Sequence, residues 1–191
     1  MSGAPGPIAV LDASVLVPHW SRVALRALAL ERPPRFTPVW STAIVAETWR
    51  TLTLRAERAG QTGAAVSRAA HALWRLLDPV FQVAEASTPP AGGPPSPLRD
   101  PDDAHLWHAA LHAGAQYVVS HNTRDFPPLL FVVAQVGGAE RPVGRHVHAG
   151  IEFLTAIEFI EDVLGADAAR LCGRVIPAGA ALRSQRTRPS G

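Results

Sequence analysis

Residues 99–127 read RDPDDAHLWHAALHAGAQYVVSHNTRDFP and predict a helix followed by a buried strand. A proline suits the first turn of a helix, and the acidic residues beside it complement the positive end of the helix dipole. Gly114 is expected to end that helix, and the apolar run at 117–120 predicts a short strand. Asn122 and Asp125 lie in the turn that follows. The stretch therefore places acidic and amide side chains at a helix start and just beyond a strand.

Outward from this stretch, helices alternate with short apolar strands. Further strands are predicted at 8–11, 36–39, 80–84 and 151–154, helices at 23–30, 42–59, 63–77 and 156–164, and a hairpin at 130–136 and 143–148. Such alternation predicts one α/β domain with a mainly parallel sheet. We expect this domain to span residues 7–164, and residues 165–191 to form an Arg-rich, partly disordered tail.

Length and composition favour one globular domain. The chain has 191 residues, of which 47% are hydrophobic and 18% are charged, so it can bury a core and is unlike a disordered chain. No apolar run is long enough to span a membrane, and the N-terminal stretch lacks the features of a signal peptide. Cys172 is the only cysteine and cannot form an internal disulfide. These features predict a protein of the cytoplasm.

Charge is unevenly distributed along the chain. All basic residues are arginines, and nine of them fall in residues 22–75 against three glutamates. Residues 76–125 hold six acidic residues against two arginines, and the tail is again basic. Basic flanks around an acidic middle suit a polyanion held near a carboxylate-bound cation. Solvated helix faces would give the same pattern, so charge alone leaves both interpretations open.

Four acidic residues stand where ligands collect in such folds. Asp12 and Asp125 follow predicted strands, Asp103 lies in the first turn of a helix, and Glu47 lies among apolar residues of another helix. Ligands of open α/β sheets bind outside the carboxyl ends of the strands. Carboxylates that share a site repel one another unless a cation neutralises them, and oxygen ligands suit Mg²⁺ or Mn²⁺. Together they predict a divalent-metal site.

Each acidic residue also has an ordinary structural explanation. Asp12 could cap the following turn, and Asp125 could be a turn residue. Glu47 could pair with Arg50 one helical turn away. Asp103 could simply complement the helix dipole. The individual residues leave these alternatives open, and only their order along the chain favours a shared site.

That order resembles the PIN domain family, in particular the VapC-like ribonuclease toxins. The resemblance rests on VLDASVL at 10–16, IVAE at 44–47, RDPDDAH at 99–105, VVSHNTRDFP at 118–127 and GIEFLT at 150–155. It implies a three-layer α/β/α, Rossmann-like PIN fold and a metal-dependent endoribonuclease. It also implies an RNA substrate, a small antitoxin protein as partner and a homodimer, with no membrane association.

Carried over by position, the resemblance assigns Asp12, Glu47 and Asp103 to the metal, which would be Mg²⁺ or Mn²⁺. Asp125 would supply a further catalytic carboxylate. The supporting positions would be Ser14, Ser120 and Asn122. Many members of the family carry aspartate where this chain has Asn122, so a catalytically silent PIN module that binds nucleic acid or protein is the alternative.

Three histidines recur on the helix that follows Asp103. His105, His108 and His112 are spaced so that they share one helix face. Without an accompanying cysteine, a solvated polar face is the favoured interpretation over a zinc site. The segments 87–97 and 129–149 are longer than a minimal toxin needs, and we expect them to shape the substrate groove or contact a partner.

Overall fold

The computed structural model describes residues 6–77, 81–84, 101–123, 126, 129–136 and 139–173. Within these residues a sheet of seven strands runs in the order β3-β2-β1-β4-β7-β6-β5. The strands are β1 Ile8–Leu11, β2 Thr37–Trp40, β3 Gln82–Val83, β4 Tyr117–Val119, β5 Leu129–Val136, β6 Ala139–His148 and β7 Ile151–Leu154.

Five strands of the sheet are parallel. β1 pairs in parallel with β2 and β4, β2 pairs with β3, and β4 pairs with β7. β6 then runs antiparallel to β7, and β5 runs antiparallel to β6. The predicted hairpin thus extends one side of the sheet, and the predicted mainly parallel α/β fold is confirmed.

Helices complete a three-layer α/β/α domain. Their bounds are α1 Ala13–Leu16, α2 His19–Ala29, α3 Thr42–Arg58, α4 Gly63–Leu77, α5 Ala104–Ala113, α6 Ala156–Glu158 and α7 Ala168–Gly173. A 3₁₀ turn, Pro101–Asp103, leads into α5, and a π-helical turn, Phe159–Val163, follows α6. Among the described residues, no helix is long and apolar enough to cross a membrane.

Local sequence signals explain the helix ends nearest the site. The Ser41 side chain accepts a 3.3 Å hydrogen bond from the Ile44 amide and so caps α3, as predicted. Gly114 ends α5 with a φ of +61°, in the left-handed region that glycine adopts without a steric penalty. The Ser41 cap sets where α3 begins and therefore where Glu47 lies along it.

The central strands are buried because both faces of the sheet are covered. Val10, Leu11, Val118 and Val119 are fully inaccessible, which matches their continuous apolar sequence. Leu154 on β7 is equally buried. This rigid centre carries the strand ends that lead to Asp12 and Ser120.

The first helices differ from the prediction. We predicted one helix at 23–30, whereas α2 begins at His19 and the short helix α1 precedes it. The Asp12 carbonyl accepts from the amides of Val15 and Leu16, which closes a helical turn directly after β1. Pro18 interrupts the helix and stands at the N-terminal cap of α2. A four-residue helix is too short to show a helical period in the sequence.

The C-terminal part carries more structure than the sequence indicated. The helix predicted at 156–164 is α-helical only at Ala156–Glu158 and then widens into the π turn. Within the predicted tail, residues 165–173 are described, and α7 packs against α2 with Ala168 buried. Residues 174–191 lie outside the described residues.

Candidate active site

Asp12 is held rigidly at the carboxyl end of β1. Its residue is 5% exposed, and its Oδ2 atom accepts hydrogen bonds from Ser14 Oγ at 2.5 Å and Ser120 Oγ at 2.7 Å. The Asp12 amide donates to the Val119 carbonyl at 3.0 Å, which continues the pairing of β1 with β4. Two hydroxyl donors on one oxygen fix the direction of the carboxylate.

The two serines also hold the chain that follows β4. The His121 amide donates to Ser14 Oγ, and the Asn122 amide donates to Ser120 Oγ, both at 2.9 Å. The two hydroxyl oxygens lie 3.2 Å apart. Each hydroxyl has one hydrogen, and each uses it on Asp12, so this last contact is close packing rather than a further hydrogen bond. Ser14 and Ser120 therefore act as the supporting residues of Asp12.

His121 lies beside this network. Its ring is tilted against Trp20 with a centroid separation of 5.6 Å. Burial lowers the pKa of His121 below its usual range, and the nearby negative charge of Asp12 opposes this effect. The imidazole is therefore neutral at neutral pH, and it adds no positive charge next to Asp12.

A second group of polar residues lines an open groove of about 560 Å³ between α3 and the start of α5. Glu47 and Arg50 extend from α3, one turn apart, while Asp103 ends the 3₁₀ turn that precedes α5. Asp103 is half-buried, and its Oδ2 atom is shielded from solvent. Glu47 and Asp103, both predicted site residues, thus line the same groove.

His105 joins these residues on the groove wall. Its Nδ1 atom lies 2.6 Å from the Asp102 carbonyl oxygen, and its Nε2 atom lies 3.6 Å from Glu47 Oε2. The Nε2 atom is shielded from solvent and makes no hydrogen bond within the described part of the chain. The sequence spacing showed three histidines on one face, but it did not indicate that His105 lies beside Glu47.

The elements that carry Asp12 and the groove are in contact. α1, directly after Asp12, packs against α3, and α5 packs against both β1 and α3. Even so, no three His, Cys, Asp or Glu side chains in the described ranges gather closely enough to hold a metal ion. The assignment of Asp12, Glu47 and Asp103 to one metal therefore stays a prediction. Asp125, the predicted further carboxylate, lies outside the described residues.

A comparison with known protein families shows which family carries this arrangement of residues. A family model described as PIN domain matches residues 9–124, which is more than half of the chain. This chain belongs to the PIN domain family. The match includes Asp12, Glu47 and Asp103 and ends one residue before Asp125. PIN domains are generally nucleases and generally use divalent metal ions. No curated protein and no solved structure gives a significant match.

The groove of this PIN domain carries donor atoms of the types that divalent cations bind. Glu47 and Asp103 offer carboxylate oxygens to one groove, and the shielded Nε2 atom of His105 offers a nitrogen beside them. Carboxylates suit Mg²⁺ and Mn²⁺, and an added imidazole suits transition metals. The groove thus presents suitable donor atoms. Among the described residues, these atoms do not form a cluster of three ligands.

Proposed function

We propose that this PIN domain is a metal-dependent endoribonuclease that hydrolyses RNA phosphodiester bonds. The observation that carries the proposal is the shared groove of Glu47 and Asp103, on elements that pack against the strand and helix flanking Asp12. The metal would be Mg²⁺ or Mn²⁺, held by Glu47 and Asp103 with Asp12. A bound divalent cation supplies charge stabilisation at the phosphate and a reactive water at neutral pH.

The chain's own residues position the reacting groups. Ser14 and Ser120 hold one oxygen of Asp12, so the other carboxylate oxygen keeps a fixed direction. Arg50 brings a permanent positive charge to the same groove as Glu47. A guanidinium there would bind a phosphate of the substrate and counter the repulsion between RNA and the carboxylates.

A second, basic groove lies farther along α3. It has a volume of about 310 Å³, and Arg22 and Arg55 line it together with residues of α4. Arg22 donates to the Leu16 carbonyl at 2.7 Å and to the Val17 carbonyl at 3.1 Å, so its guanidinium is held in place. Partial burial lowers the pKa of Arg22, which stays a cation. We propose that this groove binds the RNA backbone beyond the cleaved bond.

We further propose that the protein is the toxin of a type II toxin–antitoxin pair and acts in the cytoplasm. Its partner would be a small antitoxin protein, and the chain would assemble as a homodimer. An apolar groove between α3 and α4 supports a protein partner. Trp49 and Trp74 line it and are 38% and 39% exposed, although large apolar side chains are usually buried. Light scattering of the chain alone and with a candidate antitoxin would test both partners.

The test of the nuclease is cleavage of a mixed-sequence RNA by the purified full chain. We expect cleavage with Mn²⁺ or Mg²⁺, none in a chelator, and a loss of roughly 100-fold or more in Asp12→Asn. Glu57→Gln is the matched control, because Glu57 is an exposed acidic residue of α3 outside the groove. Equal cleavage by Asp12→Asn and the control would contradict the proposal.

The alternative is a silent PIN module, which Asn122 favours because it replaces a carboxylate with an uncharged amide. In that case the folded chain would bind RNA and leave it intact with either metal. Melting curves for each variant show that the proteins compared are folded.

A further inference from the structure

The His105 ring is held at one end on the groove wall, and its other end faces Glu47. Nδ1 lies 2.6 Å from the Asp102 carbonyl oxygen, and Nε2 faces Glu47 Oε2 at 3.6 Å. A carbonyl oxygen only accepts, so Nδ1 must carry the hydrogen. In the neutral imidazole, Nε2 then presents a lone pair towards the Glu47 carboxylate.

The Nε2 lone pair and the Glu47 carboxylate face the same space, as two ligands of one cation do. The Nε2 atom is shielded from solvent and makes no hydrogen bond among the described residues, and 3.6 Å exceeds hydrogen-bond distance. Metal bonds to imidazole nitrogen and carboxylate oxygen are about 2.0–2.2 Å long, so one ion can bridge such a gap. A histidine that binds a metal usually donates its other ring N–H to a carbonyl or carboxylate, as His105 does.

We propose that His105 Nε2 is a nitrogen ligand, together with Glu47, of the divalent ion bound in this groove. The inference rests on the proposed function for the presence of that ion, and it goes further by adding a ligand that is not a carboxylate. An imidazole ligand favours first-row transition metals over Mg²⁺. The groove therefore selects Mn²⁺ or Zn²⁺ over Mg²⁺, and His105 is the residue responsible.

The experiment is pulsed electron paramagnetic resonance of Mn²⁺ bound to the full chain. A directly bound imidazole gives a ¹⁴N modulation, which a histidine with only a structural role would not produce. The variants are His105→Gln and His105→Ala. The matched control is His112→Gln, because His112 is an exposed histidine near the other end of the same helix.

We expect the ¹⁴N modulation in the wild type and in His112→Gln, and its loss in both His105 variants. Mn²⁺ binding measured by calorimetry should weaken by about tenfold or more in the His105 variants, with a smaller change for Mg²⁺. Tight Mn²⁺ binding that shows no ¹⁴N modulation, or the same modulation in a folded His105 variant, would overturn the inference and leave the nuclease proposal standing. Absence of any Mn²⁺ binding would overturn both.

Discussion

The Ser120 hydroxyl donates a 2.7 Å hydrogen bond to Oδ2 of Asp12 and joins the ends of two neighbouring parallel strands. Ser120 is fully buried and Asp12 nearly so. The same hydroxyl oxygen accepts from the Asn122 amide, so one side chain orients the carboxylate and the turn after β4. The position of Asp12 at the strand end is thus reinforced by side-chain contacts.

Replacing Ser120 should affect both stability and activity. Ser120→Ala removes one donor from Asp12 and leaves the Asn122 amide without its acceptor, so we expect a loss of about 1–2 kcal/mol in unfolding free energy. RNA cleavage should fall because Asp12 gains rotational freedom. Urea unfolding and cleavage assays measure the two effects.

Ser21→Ala provides the control for this variant. Ser21 is also fully buried and donates to the Val15 carbonyl at 2.6 Å, but it makes no contact with Asp12. It should lower stability by a similar amount and leave cleavage near the wild-type rate. A parallel loss of cleavage in both variants would mean that stability, rather than the direction of Asp12, limits activity.

Restoring a carboxylate at position 122 should strengthen metal binding. Asn122→Asp adds a negative charge next to Ser120, whose hydroxyl already contacts Asp12. We expect roughly tenfold tighter Mn²⁺ binding by calorimetry, and a lower melting temperature without metal because the carboxylates repel. Unchanged affinity would show that this side chain lies outside the reach of the ion.

The basic groove along α3 predicts a difference between two neighbouring arginines. Arg55 lines the groove, whereas Arg58 is an exposed arginine of the same helix that does not line it. In an Asp12→Asn background, Arg55→Gln should weaken RNA binding and reduce the salt dependence of the affinity by about one charge. Arg58→Gln should change neither, as fluorescence anisotropy at several salt concentrations would show. Equal effects of the two substitutions on RNA affinity would indicate that the overall charge of α3 attracts the RNA, rather than the groove.

Alkaline pH should destabilise the chain through Tyr117. Burial, and then the negative charge of Glu152, raise the pKa of Tyr117, while Arg145 opposes them. Because the folded-state pKa exceeds that of the unfolded chain, this contribution to stability is complete below about pH 10 and is lost as pH rises through the folded-state pKa.

Tyr117 is the only tyrosine, so tyrosinate absorbance reports on it directly. Ionisation should occur above the usual tyrosine range and coincide with loss of stability, and Tyr117→Phe should flatten the alkaline limb of the stability profile. Ionisation at the usual pKa in the folded protein would contradict this account.

The fold was predictable from the sequence because its main signals are local and continuous. The buried run at Ile8–Leu11, the Ser41 cap and the Gly114 stop each appear in the structure where the sequence indicated. Helix α1 was missed because four residues are too few to show a helical period in the sequence.

The candidate site was predictable only in part. Residue order indicated Glu47 and Asp103, and the structure places them on one groove. The contact of His105 with Glu47 joins residues far apart in sequence and depends on how α3 packs against α5, which spacing along one helix does not specify. The sequence likewise did not show which tryptophans are buried. Trp40 and Trp107 are buried, whereas Trp49 and Trp74 are partly exposed around the apolar groove.

The most direct test of the account is anomalous diffraction from crystals of the full chain soaked in Mn²⁺. We expect a manganese peak in the groove between α3 and α5, within bonding distance, about 2.0–2.5 Å, of oxygens from Glu47 and Asp103. A fully occupied Mn²⁺ elsewhere, or an empty groove at saturating Mn²⁺, would contradict a metal-dependent nuclease built on these residues.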